Sequence, residues 1–146
     1  MLDEKIVLEK FLGGVNCCAS VFGAFAEELG LSLETARKIS TGFGSGIGCG
    51  NVCGAVSGGL MALGLKYGEC ADTKTEATEK YNAKRKAFFE AFTAQNGTLF
   101  CKEIMGLDPN VPENRPILAE RGTRANVCAK VIVNTCKLIE EMLKED

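Results

Sequence analysis

Eight cysteines and no histidine in 146 residues set the chemistry open to this chain. The thiols are Cys17, Cys18, Cys49, Cys53, Cys70, Cys101, Cys128 and Cys136. A cysteine thiolate is both a nucleophile and a soft metal ligand. Without an imidazole, Ser-His and Cys-His hydrolases are excluded. So are mixed Cys/His zinc sites and c-type haem, whose attachment motif ends in histidine. A metal site here must rest largely on thiolates, with help from Asp, Glu or Asn. No CxxC is present, so neither a thioredoxin motif nor a ferredoxin run can be drawn.

Cys49 and Cys53 lie in the stretch GFGSGIGCGNVCGAVSGG, residues 42–59, where glycine occupies alternate positions from Gly42 to Gly50. Three uses for so bare a backbone compete. A dinucleotide cradle needs G-x-G-x-x-G after a strand, and a P-loop needs a terminal GK[ST]; neither is here, so no nucleotide is expected. A membrane span is suggested by the uncharged run from Gly42 to Leu65, but its glycine-rich first half holds a helix poorly and the remainder is too short to cross. The third use is a thiol site wrapped by backbone, in which Gly44, Gly46, Gly48 and Gly54 approach sulfur closely and turn N–H groups toward it.

The elements that would position the thiols read as helices. Leu8, Leu12, Val15, Phe22, Phe25 and Leu29 recur at helical spacing, broken at Gly13-Gly14. Asn16 is predicted to cap a second helix ending near Gly30, and Ser32 a short third. Asn51 is predicted to cap the helix VCGAVSGGLMALGLKY, which Gly68 ends. Asp72 should cap a long charged helix to about Gln95, with Ala77, Tyr81, Phe88 and Phe92 on its apolar face. Thr98 should cap a short helix carrying Cys101. DPNVPENRP, with all three prolines, reads as loop. Thr123 should open a last helix to about Lys144. The expected fold is all-α: one domain over 1–146, a compact bundle of five to seven helices around a central glycine-rich helix. Gly54, Gly58, Gly59 and Gly64 would let neighbouring helices, or a second copy in a homodimer, approach it.

On these boundaries Cys17, Cys53, Cys101 and Cys128 fall in or near the first turns of four separate helices. There the helix dipole and free N–H groups favour a thiolate. For Cys18, Cys70 and Cys136 the expectation is a small buried hydrophobe, and for Cys49 either role is open.

Composition is that of a soluble globular protein, 46% hydrophobic and 25% charged, with a net charge of −2. No basic face points to nucleic acid. The charged N-terminus MLDEKIVLEKF is no signal peptide, so a cytoplasmic location with reduced thiols is expected.

The segments GGVNCCASV, GFGSGIGCGNVCGAVSGGLMALGLKYG, a cysteine after a helix ending in QNG and a late cysteine opening the final helix together resemble a known family. It is the redox-active protein family named for its C…CGAxxG…C…C cysteine pattern, and the similarity spans about residues 8–140. The resemblance places the family's four cysteines on Cys17, Cys53, Cys101 and Cys128. This chain has Val15 where the family often has an aromatic, and Cys18 where it usually has alanine, so Cys17 and Cys18 both remain candidates for the first thiol. A related module occurs in a haem-binding cytochrome family, but without CxxCH or histidine that haem chemistry does not carry over.

The resemblance implies a redox or metal-binding role. The expected function is to bind an iron–sulfur cluster or another thiophilic metal through the four cysteines, for electron transfer with a redox partner protein or for metal handling. A metal-free thiol–disulfide oxidoreductase using the same cysteines is the alternative. A helical structural or partner-binding protein with cysteines as core filler is the third.

Overall fold

The computed structural model describes residues 2–145. Eight α-helices follow one another: α1 (Glu4–Leu12), α2 (Cys17–Ala26), α3 (Leu33–Ser40), α4 (Gly54–Tyr67), α5 (Glu76–Asn96), α6 (Cys101–Met105), α7 (Arg115–Arg121) and α8 (Ala129–Leu143). The fold is all-α as expected, with one helix more than the upper expectation of seven. The sole β pairing among the described residues is an isolated antiparallel bridge between Val52 and Phe100.

Most helix ends obey local signals. Asn16 caps α2, its side chain accepting the Ala19 N–H at 2.8 Å. Ser32 caps α3, accepting from Thr35 at 3.1 Å. Gly97, at φ +80, ends α5 in the left-handed conformation that an L side chain resists.

Three expected starts differ, and one helix opens in an expected loop. Cys53 itself is the N-cap of α4, so the helix begins three residues beyond Asn51. Thr75, not Asp72, caps α5 through a capping box with Thr78. Phe100, not Thr98, precedes α6. Arg115 and Pro116, expected in a loop, open α7, where proline in the first turn forfeits no helical hydrogen bond. Gly122 ends α7, and a wide turn over Arg124–Cys128 leads straight into α8, the Ala129 N–H donating to the Arg124 carbonyl.

The glycine-rich α4 is the hub, packed against α2, α5 and α8. Phe11, Phe25, Leu63, Phe88, Phe92, Ile132 and Ile139 are fully buried around it. Each such side chain contributes about 1.5–3 kcal/mol of transfer free energy. The buried hydroxyls of Ser40 and Thr135 donate to carbonyls one turn back, at 2.7 and 2.6 Å, so neither is left unsatisfied.

The close approach depends on missing side chains. A Cβ on Gly58 would lie 2.6 Å from the Cys18 carbonyl oxygen of α2, and one on Gly59 would lie 2.6 Å from the Phe88 ring of α5. Gly64 is under no such pressure, with Tyr81 Oη at an ordinary 3.6 Å. Gly58 and Gly59 thus serve contacts within the chain. Gly58→Ala should push α2 away from α4 and destabilise the fold by about 1–3 kcal/mol. Thermal unfolding followed by circular dichroism should show the midpoint fall by roughly 3–10 °C with the helical spectrum retained.

Candidate functional site: a four-cysteine cavity

Four elements that are remote in sequence bring one cysteine each to a single cavity. Cys17 opens α2, Cys53 caps α4, Cys101 opens α6, and Cys128 sits where the wide turn enters α8. All four line a cavity of about 150 Å³. Gly54, Ser45 and Arg124 complete its polar side, and Ile104, Met105, Pro109, Val131 and Ile132 its apolar wall.

Two backbone devices hold the sulfurs there. The first is the Val52–Phe100 bridge: the Cys53 N–H donates to the Leu99 carbonyl at 2.8 Å and the Cys101 N–H to the Asn51 carbonyl at 2.7 Å. That short ladder ties the two cysteines together before either helix begins. The second is glycine. A Cβ on Gly54 would stand 2.7 Å from Cβ of Cys17, and one on Gly46 would stand 2.8 Å from Cβ of Cys101.

The glycine loop itself is a left-handed turn. Ser45, Gly46, Ile47 and Gly48 have φ of 53, 64, 61 and 69° in succession. Holding the two non-glycine residues there costs roughly 1–2 kcal/mol each. The turn is tied down by the Asn51 N–H to the Gly46 carbonyl at 2.9 Å, and by Asn110 Nδ2 to the Ser45 carbonyl at 3.0 Å. Of the four glycines expected to wrap the thiols, only Gly54 lines the cavity. Gly46 makes room for Cys101 from behind, Gly44 packs on Asn16, and Gly48 faces open space.

The thiols behave differently from the expectation that helix starts would favour thiolates. Burial outweighs the dipole. It pushes Cys53 up to about 12, and the neighbouring Cys17 and Cys101 reinforce it against the opposing N–H groups of Ala55 and Val56. Burial likewise carries Cys101 to about 12 and Cys128 to about 11. Cys17 is raised by burial, against the pull of the Arg124 guanidinium, its own N–H and the Ser45 N–H. Around neutral pH, with no cation among them, the four are neutral thiols.

Arg124 was not singled out in the sequence. Its guanidinium lies 3.9 Å from the Phe11 ring centroid and donates to the carbonyls of Phe11 and Val15. It thereby pins the α1–α2 corner beside Cys17 and sets a fixed positive charge next to two of the sulfurs. Met105 is the second unforeseen residue, its Sδ 3.6 Å from Cys101 Sγ at one helical turn's spacing.

The other cysteines sort by place. Cys17, not Cys18, faces the cavity; Cys18 is fully buried on the other side with its sulfur 3.6 Å from Met61 Sδ. Cys136 is core, as expected. Cys70 was expected to be buried and is exposed, because it lies in the loop beyond Gly68 rather than on α4. Cys49 is exposed on the left-handed turn and donates to the Gly46 carbonyl at 3.3 Å. Among the described residues no group of three or more Cys, Asp or Glu is arranged to hold a metal ion, and no helix is long and apolar enough to cross a membrane.

Fold and cavity together define a small all-helical protein with a shared four-cysteine centre. Residues 15–142 match the family described as "Putative redox-active protein (C_GCAxxG_C_C)", and the chain belongs to that family. The family label writes Gly-Cys-Ala where this chain reads Cys53-Gly54-Ala55. No curated protein and no solved structure matches the chain.

Two measurements check this geometry. In reduced, metal-free protein near neutral pH, a disulfide reagent should modify Cys49 and Cys70 quickly and the remaining six thiols slowly, with unfolding by guanidinium releasing all eight. The same protein should lose stability in alkali. A thiol whose pKa is raised by folding keeps its proton in the native state while the unfolded chain loses it. Stability present below the unfolded value, near 9, is therefore lost as pH rises toward the native values of about 11 and 12. Urea midpoints measured from neutral pH to about pH 10 should fall, and Cys53→Ala should flatten the slope.

Proposed function

We propose that Cys17, Cys53, Cys101 and Cys128 hold a thiophilic metal centre, an iron–sulfur cluster in preference to a single ion, and that the protein works in one-electron transfer. The observation that carries this reading is the convergence of one thiol from each of four elements on one cavity.

Size argues for a multi-atom group. A tetrahedral zinc site with metal–sulfur bonds of about 2.3 Å would draw its four sulfurs to roughly 3.8 Å from one another. No such grouping occurs among the described residues. A cavity of 150 Å³ has the scale of one that takes a benzene-sized guest. Four thiolates are a donor set suited to iron–sulfur clusters.

The protein's own groups have separable roles. The four thiols give up their protons as a cation replaces them, so loading weakens as pH falls. The N–H groups of Ala55 and Val56 reach Cys53, and that of Ser45 reaches Cys17, which steadies negative charge on those sulfurs. Arg124 offsets part of the remaining negative charge. Ile104, Val131 and Ile132 give the sulfurs an apolar wall. A cluster, when bound, would supply one-electron storage, whereas thiols alone exchange electrons in pairs through a disulfide.

Elevated thiol pKa values disfavour the metal-free alternative, since a disulfide-exchange enzyme needs a thiolate near ambient pH. Iron, sulfide and zinc analysis of anaerobically purified protein, with a visible spectrum, tests the reading. Stoichiometric iron and sulfide with a broad visible band is the expected result. Cys53→Ser and Cys101→Ser should each remove most of the band, whereas Cys70→Ser should leave it intact. Colourless protein without iron or other metal, even after anaerobic reconstitution, would overturn the proposal.

A further inference from the structure

A second hollow adjoins the cysteine cavity. It is a groove of about 330 Å³ between α7, the wide turn before α8 and the end of α1. Leu12, Leu118, Ala119 and Ala125 form its apolar floor and sides. Met105, Pro109 and Arg124 belong to both hollows, so one side-chain wall separates them.

Arginines rim this groove. Arg115 and Arg124 line it. Arg121 flanks it, its Nη1 lying 3.9 Å from where a Cβ on Gly106 would stand, beside Met105. All three are exposed, and among the described residues none is ion-paired with a carboxylate, although the exposed Glu120 lies on the same helix. Arg115 Nε donates to the Pro109 carbonyl at 3.3 Å, and Arg124 Nη2 to carbonyls of the α1–α2 corner. Their other N–H groups have no protein acceptor among the described residues. In a chain of net charge −2, Arg115 and Arg121, neither paired with a carboxylate among the described residues, are a local feature beside this apolar hollow, and Arg124, held on the α1–α2 corner, adds a third positive charge.

We propose that this groove binds a small apolar organic anion, a one- or two-ring body carrying a carboxylate, phosphate or sulfonate. The volume sits at the small end of organic ligand sites. The apolar floor would take the rings. Guanidiniums match planar or tetrahedral oxyanions with paired N–H groups, a match that neither a cation nor a neutral molecule supplies. A molecule so placed abuts Met105 and Pro109, the far faces of which look onto the cysteines. Its use as the partner of the cysteine centre rests on the function proposed above; its binding does not.

The test uses the full chain and two fluorescent probes of similar shape: anilinonaphthalene sulfonate, which is anionic, and N-phenylnaphthylamine, which is neutral. The wild type should bind the sulfonate at one saturable site. Arg115→Gln with Arg121→Gln should weaken the sulfonate by about ten-fold or more, while the neutral probe changes by less than about two-fold. The matching Lys pair should retain more than half of the lost affinity. Ala119→Trp, on an exposed position, should exclude both probes. Circular dichroism melting shows that each variant is folded. The proposal is overturned if the Gln pair weakens both probes equally, if it weakens neither, or if Ala119→Trp leaves sulfonate binding unchanged. Cys53→Ser, measured alongside, separates the two ideas: sulfonate binding that survives loss of the metal centre leaves the groove standing, and a metal-bearing protein that binds no sulfonate leaves the centre standing.

Discussion

The contact between α2 and α4 is the constraint on which the rest of the molecule depends. It places backbone against backbone, since Gly54 and Gly58 present no side chain to α2. The same closeness packs the core and sets Cys17 beside Cys53. A larger residue at Gly54 would meet Cys17 Cβ and the Cys18 nitrogen, at 2.7 and 2.9 Å. Packing and chemistry therefore answer to one geometric requirement, and the cysteine at the cap of α4 is small enough to share it.

The Val52–Phe100 bridge adds the second half of the site to that contact. It forms where the chain has left the left-handed turn and has not yet entered α4. The turn's backbone conformation costs free energy, and the hydrogen bonds from Asn51 and Asn110 hold it in place. Strained backbone concentrated beside the sulfurs, in a fold otherwise made of regular helices, is where a functional site would be sought on physical grounds alone.

Features with a local cause were readable in the sequence. Asn16 and Ser32 cap their helices, Gly13 and Gly68 close theirs, and Phe88 and Phe92 point inward, all as residue type and spacing require. The convergence of Cys17, Cys53, Cys101 and Cys128 on one cavity was foreshadowed in the sequence because each stands near a helix start. Features caused by tertiary contact were not. Phe100 precedes α6 because the bridge with Val52 positions it. Arg124 carries no motif, and only the folded α1–α2 corner gives its guanidinium two carbonyls and a ring to rest on. The raised thiol pKa values have a related cause: dipoles can be read from a helix start, whereas burial depends on what the rest of the chain places over the sulfur.

The four cavity cysteines lie at widely separated points along the chain, from Cys17 near the start to Cys128 near the last helix. Any single group bound by all of them would close several long loops at once. It would act as a four-way staple, restricting the unfolded ensemble as a set of nested disulfides does, but released by chelation or oxidation of the group rather than by reductant. The site would also be an all-or-none reporter on assembly, because no continuous fragment shorter than Cys17 to Cys128 contains all four thiols.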